Sequence, residues 1–277
     1  MLRKPPRAVP AARLAVLMVA ACVTLAAQKV QFNPAHKADI LERMENIPGS
    51  DSDRAVRIKE LFEQAGCSGK LLHEQAVEGV DVPNVICRLQ GSESGTVIVG
   101  AHYERSTVAR PIDDWSGASL LPALFRCLRS KKRRHSYIFI AFADHGQGLT
   151  GSKFYADHLS SVEAVQAEAM VNLDPLGLSP TKVWSARSDK DLVHHLLIMV
   201  YALKLPASQI DLNASGATDA DPFARRGIPP IIIHSLTQQN LRDDAATNFR
   251  PDNYYDTYRL LCGYLAYLDE ILKPRPN

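Results

Sequence analysis

Imidazoles and carboxylates collect in five short segments of this sequence: GAHYE (100–104), DDWSGA (113–118), ADHGQGLTGS (143–152), VNLD (171–174) and TDADPFARRGIPPIIIHS (218–235). Histidine nitrogen and carboxylate oxygen are donors that zinc accepts, and a histidine also takes up a proton near neutral pH. The third segment has a second reading. Gly146, Gly148 and Gly151 spell G-x-G-x-x-G between the apolar run YIFIAF and the helix-like SKFYADHL. That is the order in which a dinucleotide pyrophosphate is cradled on a helix N-terminus. Asp174, 23 residues after Gly151, stands where such units place a ribose-binding acid. No G-x-S-x-G elbow occurs, so serine-hydrolase chemistry lacks its nucleophile.

The elements that must position these residues follow from periodicity. Helical patterns cover 36–46 and 51–66, the second with Asp51 and Ser52 as caps. GKLLHEQAV (69–77) and PNVICRL (83–89) read as strands joined by EGVDVP. TVIVGAHY (96–103) is a continuous apolar run, as expected of a strand buried on both faces. Helix 115–130, strand 136–143, helix 152–168 and strand 169–173 follow. Then come a strand near 181–186, a helix over 189–203, the strand PPIIIHS (229–235) and a terminal helix over 253–273. Strands alternating with helices predict an α/β protein built as a single-domain three-layer α/β/α sandwich around a mostly parallel mixed sheet. Four of the polar segments then lie at the carboxyl ends of strands, where sites form in open α/β sheets.

Taken together and in order, the five segments resemble the co-catalytic zinc aminopeptidases and glutaminyl cyclases of peptidase family M28, over residues 83–270. That family carries GAHxD, D-[DN]-x-S-G, EE-x-G-x-x-GS, NLD, D-x-x-P-F-x-x-x-G-I-P and a late H-T-x-x-D. The resemblance implies a zinc-exopeptidase-like fold and a pair of zinc ions sharing one bridging carboxylate. Carried over by residue, it implies that His102 is a metal ligand, Asp113 the bridging carboxylate and Asp174 the ligand that completes the same metal. Glu104, in place of the family's aspartate, is implied to steer the His102 imidazole without binding the metal itself. Asp219 and PFARRGIP match a segment supporting the site wall.

Two further motifs depart from the family. Its glutamate pair, a general base followed by a ligand of the second metal, aligns with His145 and Gly146. Its late histidine aligns with Asn240, counted back from YYDTYRLL. One half-site (His102, Asp113, Asp174) is thus complete, and the other has lost both private ligands. The chain is expected to bind one zinc ion or none. Its action on peptides or small amides is expected to be weak or absent, with His145 as the residue standing at the base position. The alternative is a non-catalytic relative, a pseudoenzyme used for binding or scaffolding.

Residues 1–27 read as a signal peptide, with Arg3, Lys4, Arg7 and Arg13 ahead of the apolar run LAVLMVAACVTLAA, and residues 28–277 as the α/β domain. The expectation is an exported protein, periplasmic or secreted. Contact with a membrane is expected only if Cys22, in VAAC, is lipidated. Without the leader's four basic residues the formal charge goes from +2 to −2, so no nucleic-acid surface is indicated. The basic run at Lys131–Arg134 reads as a solvated loop. Export permits disulfides, and Cys67 and Cys87 are the pair closest in sequence.

Overall fold

The computed structural model describes residues 30–105, 112–146, 148–211, 216–237 and 248–273. The leader and Asn240 lie outside these residues, as does the side chain of Asp113. Eight strands form one sheet: β1 (Leu72–Gln75), β2 (Asn84–Leu89), β3 (Thr96–His102), β4 (Ser136–Phe142), β5 (Ala167–Leu173), β6 (Thr181–Trp184), β7 (Ala207–Ile210) and β8 (Pro230–His234). Their order is β1-β2-β4-β3-β5-β8-β6-β7. The central strands β4, β3, β5 and β8 run parallel; β2 joins β4, and β6 joins β8, antiparallel.

The helices are α1 (Lys37–Leu41), α2 (Asp51–Gln64), α3 (Asp113–Arg129), α4 (Thr150–Asp157), α5 (Ser161–Gln166), α6 (Lys190–Leu203), α7 (Asp221–Arg225) and α8 (Pro251–Ile271). Successive side chains of a strand point to opposite faces, and the two cores show it. Val97, Val99, Tyr137, Phe139, Val171 and Ile233 pack with residues of α2, α3, α6 and α8. Ile98, Ile138, Ile140, Met170 and Ile232 pack with Tyr155 of α4 and Phe223 of α7. This alternation, in phase across the central strands, makes the sheet the middle of three layers. Among the described residues no helix is long and apolar enough to cross a membrane.

Three details differ from the sequence expectation. The single helix expected over 152–168 is two, because Ser160 accepts from the Glu163 amide while Glu163 bonds back to Ser160, a capping box that starts α5 afresh. Strand β7 and the short α7 have patterns too brief for periodicity to register. The Lys131–Arg134 run is solvated only in part: Arg133 is buried, with Nε donating to Leu128 O, and Arg134 pairs with Glu93. Cys67 and Cys87 form a disulfide tying the end of α2 to β2, whereas Cys127 and Cys262 are buried free thiols.

An ionic knot closes the amino-terminal edge of the central strands. The Asp269 carboxylate accepts from the Arg134 and His135 amides, and the His135 imidazole lies 3.2 Å from Glu168 Oε2 and 3.4 Å from Asp269 Oδ1. Burial opposes the His135 cation, but the Asp269 and Glu168 carboxylates outweigh it and raise its pKa to about 9. Its ordinary value is about 6.5. The stability this adds is complete below the ordinary value and is lost as pH climbs through the folded one. Asp269→Asn, which leaves a buried histidine short of its counter-charge, is expected to cost about 3 kcal/mol at pH 7. Urea unfolding at pH 7 and pH 10 should also show the wild-type advantage over that variant shrinking at the higher pH.

Candidate metal centre

The site forms where three parallel strands end. His102 is the last residue of β3, His145 follows β4 by three residues, and Asp174 follows β5 directly. The approach of α3 to this edge depends on Gly117, where a Cβ would stand 2.5 Å from Leu173 O. Asp219 arrives from the turn before α7, where Thr218 and Asp221 bond one another and Arg187 holds Asp221 with two hydrogen bonds.

One oxygen of the fully buried Asp219 carboxylate serves two imidazoles. Oδ2 lies 3.2 Å from His102 Nδ1 and 2.8 Å from His145 Nδ1. The rings stack at 4.2 Å between centroids with 27° between planes. Oδ1 of the same carboxylate is buried and has no hydrogen-bond partner among the described residues. Burial alone would push the Asp219 carboxyl up. The charge of His145 and the N–H groups of both imidazoles overcome this and hold it well below the usual carboxylate range. For His145 burial works against the cation, but the Asp219 charge wins and its pKa rises. With both Nδ1 atoms turned to a carboxylate acceptor, the neutral form of each ring keeps its lone pair on Nε2.

Ligand-type atoms of His102, His145 and Asp219 all fall within 4.8 Å of one another. Asp174 is not among them. It accepts from Asn172 Nδ2, and its charge reaches His145 strongly enough to help raise that residue's pKa. Glu104 is buried and accepts from the Gly146 amide, while the carboxylate at His102 Nδ1 is Asp219. Burial is also the main reason the Glu104 carboxyl is raised. His234 is a buried residue against Trp184, with Nδ1 accepting from the Leu236 amide and its pKa pushed down to about 4 by burial. Sequence reasoning gave Asp219 only a place in the site wall. Its signal was an acid beside the DPFARRGIP segment, but its partners lie 117 and 74 residues away.

The glycine loop is already committed to its own chain. The amides of Leu149, Thr150 and Gly151 donate to the carbonyls of His145, Asp144 and Ala143, and the Gly146 amide donates to Glu104. These amides, which a pyrophosphate cradle would draw on, are spent on the chain itself, which argues against a dinucleotide site at G-x-G-x-x-G.

Comparison with known proteins identifies the family and the fold. The profile of peptidase family M28 matches residues 84–260. Aminopeptidase YwaD of Bacillus subtilis is 32% identical over 138 residues, covering 48% of this chain and 30% of that protein. A probable zinc metalloprotease of Pyrenophora tritici-repentis is 30% identical over 119 residues, covering 39% of this chain and 27% of its own length. The chain therefore spans less than a third of either relative. Among solved structures, the Legionella pneumophila LapA aminopeptidase superposes with a TM-score of 0.75 at 17% identity, over 99% of this chain and 79% of that one. A glutaminyl cyclase of Fimbriiglobus ruber gives 0.67 at 16% identity, over 86% and 98%. At these identities the structures speak for the fold.

Two glycines of the loop are expected to respond oppositely to a methyl group. At Gly151 a Cβ would stand 2.3 Å from Ala143 O, whereas at Gly146 nothing lies within 4 Å. Gly151→Ala should cost about 1–3 kcal/mol by overpacking, and Gly146→Ala should stay within about 0.5 kcal/mol of wild type, both measured by urea denaturation.

Proposed function

Because the chain belongs to peptidase family M28, we propose that it is an exported, metallopeptidase-derived protein that holds one zinc ion and hydrolyses peptides or small amides weakly or not at all. The convergence of His102, His145 and Asp219 carries this reading. Two imidazoles and a carboxylate are a donor set zinc takes. Asp219 Oδ1, on an ionised carboxylate and buried with no hydrogen-bond partner among the described residues, suits a cation. Asp113 and Asp174, at the family's ligand positions, are the carboxylates that would complete the set. When bound, zinc polarises a carbonyl and lowers the pKa of a bound water.

The chain's own residues explain the low activity. His145 stands where the family has its glutamate base and is tied to Asp219 through Nδ1. Loss of a positioned base typically costs a factor of about 10² to 10⁴ in rate. Gly146 offers no side chain for a second metal. These same two positions favour the second reading, a non-catalytic protein that keeps the fold for binding. Export is supported by the basic-then-apolar leader and by the Cys67–Cys87 disulfide, which belongs to an oxidising compartment.

Metal analysis of the purified protein is expected to give one zinc per chain, lost in His102→Ala, His145→Ala and Asp219→Ala; two zinc ions in the wild type would overturn the single-site reading. Hydrolysis of aminoacyl-4-nitroanilides before and after chelation separates the two functions. Slow turnover that a chelator abolishes supports the hydrolase, and no turnover by zinc-loaded protein supports the binding role.

A further inference from the structure

Beside the metal centre lies a cavity of about 360 Å³ whose wall, among the described residues, carries four acidic side chains, Asp51, Asp81, Glu104 and Asp144, and no lysine or arginine. Glu104 sets it apart from an ordinary acidic surface. Its side chain is 7% exposed, Oε1 accepts from the Gly146 amide, and Oε2 is buried with no hydrogen-bond partner among the described residues. Burying a carboxylate oxygen without a partner costs free energy that a ligand's cation would recover. Arg54, whose charge reaches Asp114, Asp51 and Glu104, spends its hydrogen bonds elsewhere: Nε donates to Pro48 O, Nη1 donates to Tyr103 O, and Nη1 lies 3.9 Å from Asp114. Asp51 spends Oδ1 on the Arg105 amide, and Asp144 accepts from the Thr150 hydroxyl. Ionised carboxylates have several acceptor positions each, so both retain capacity.

We infer that this cavity is a subsite for a basic side chain, the guanidinium of arginine or the ammonium of lysine, on a peptide bound at the metal centre. The inference rests on the proposed function for the placement of that peptide. Size favours a side chain over an ammonium head alone, because cavities from about 300 Å³ upward hold whole ligand groups. Position favours it too, since the Gly146 amide joins Glu104 to the loop that carries His145.

Calorimetric titration of the full protein tests this without turnover. The probes are Nα-acetyl-L-arginine N-methylamide, its uncharged isostere Nα-acetyl-L-citrulline N-methylamide, and L-norleucine N-methylamide, which offers only an α-ammonium. The arginine probe is expected to bind at least ~10-fold more tightly than the citrulline probe. That preference should fall with added salt and drop to about 2-fold in Asp51→Asn/Asp81→Asn, with citrulline binding unchanged. Equal affinity of arginine and citrulline probes, or no arginine binding up to about 10 mM, would overturn the inference. A preference that ignores both salt and the double variant would do the same. Tighter binding of the norleucine probe than of the arginine probe would assign the cavity to the α-ammonium and overturn it as well. Arginine binding by a protein that hydrolyses no anilide would leave this subsite standing while removing the hydrolase reading.

Discussion

The carboxylate of Asp219 is the constraint on which the site depends. A fully buried, ionised group costs several kcal/mol unless opposite charge or hydrogen-bond donors meet it, and here two imidazoles on one oxygen do so. They come from different elements, the end of β3 and the loop after β4, while Asp219 itself is set by the turn before α7. The three must therefore be positioned together. Parallel pairing of β3 with β4, which places His102 opposite Phe142, brings the two histidines to the same edge. The stacked rings are the consequence of sharing one acceptor.

Glu104 and Gly146 form a second constraint. The Gly146 amide donates to the Glu104 carboxylate and so ties the end of β3 to the loop after β4. In that loop the amides of Leu149, Thr150 and Gly151 donate to the carbonyls of His145, Asp144 and Ala143. The other Glu104 oxygen is buried beside an acidic cavity with no hydrogen-bond partner among the described residues.

Strand positions were legible because a doubly covered parallel strand must be largely apolar on both faces, as the runs TVIVGA in β3 and AMV in β5 are. The histidines were legible because they interrupt or follow such runs. Asp219 was not, since nothing local distinguishes a buried acid that neutralises distant imidazoles from one that ends a helix or a turn. Asp221, two residues on, is of the second kind and bonds the Thr218 amide. The break between α4 and α5 was written in Ser160 and Glu163, a local signal that helical periodicity across 152–168 obscured.

The two histidine clusters at opposite ends of the sheet show why one is structural and the other suited to chemistry. His135 lies within ion-pair distance of carboxylates at both ring nitrogens, and Asp269 also accepts two backbone amides. Its charge is answered by the protein itself, so what it contributes is stability within a range of pH. At the other end a single carboxylate oxygen is divided between two imidazoles, and the second oxygen of that carboxylate is buried with no hydrogen-bond partner among the described residues. The Glu168 oxygens at the knot also lack hydrogen-bond partners among the described residues, so the number of bonds does not separate the two ends. The ratio of rings to acids does: two carboxylates meet one imidazole at the knot, whereas one carboxylate meets two imidazoles at the strand ends, where the ring nitrogens are donors that a metal ion takes.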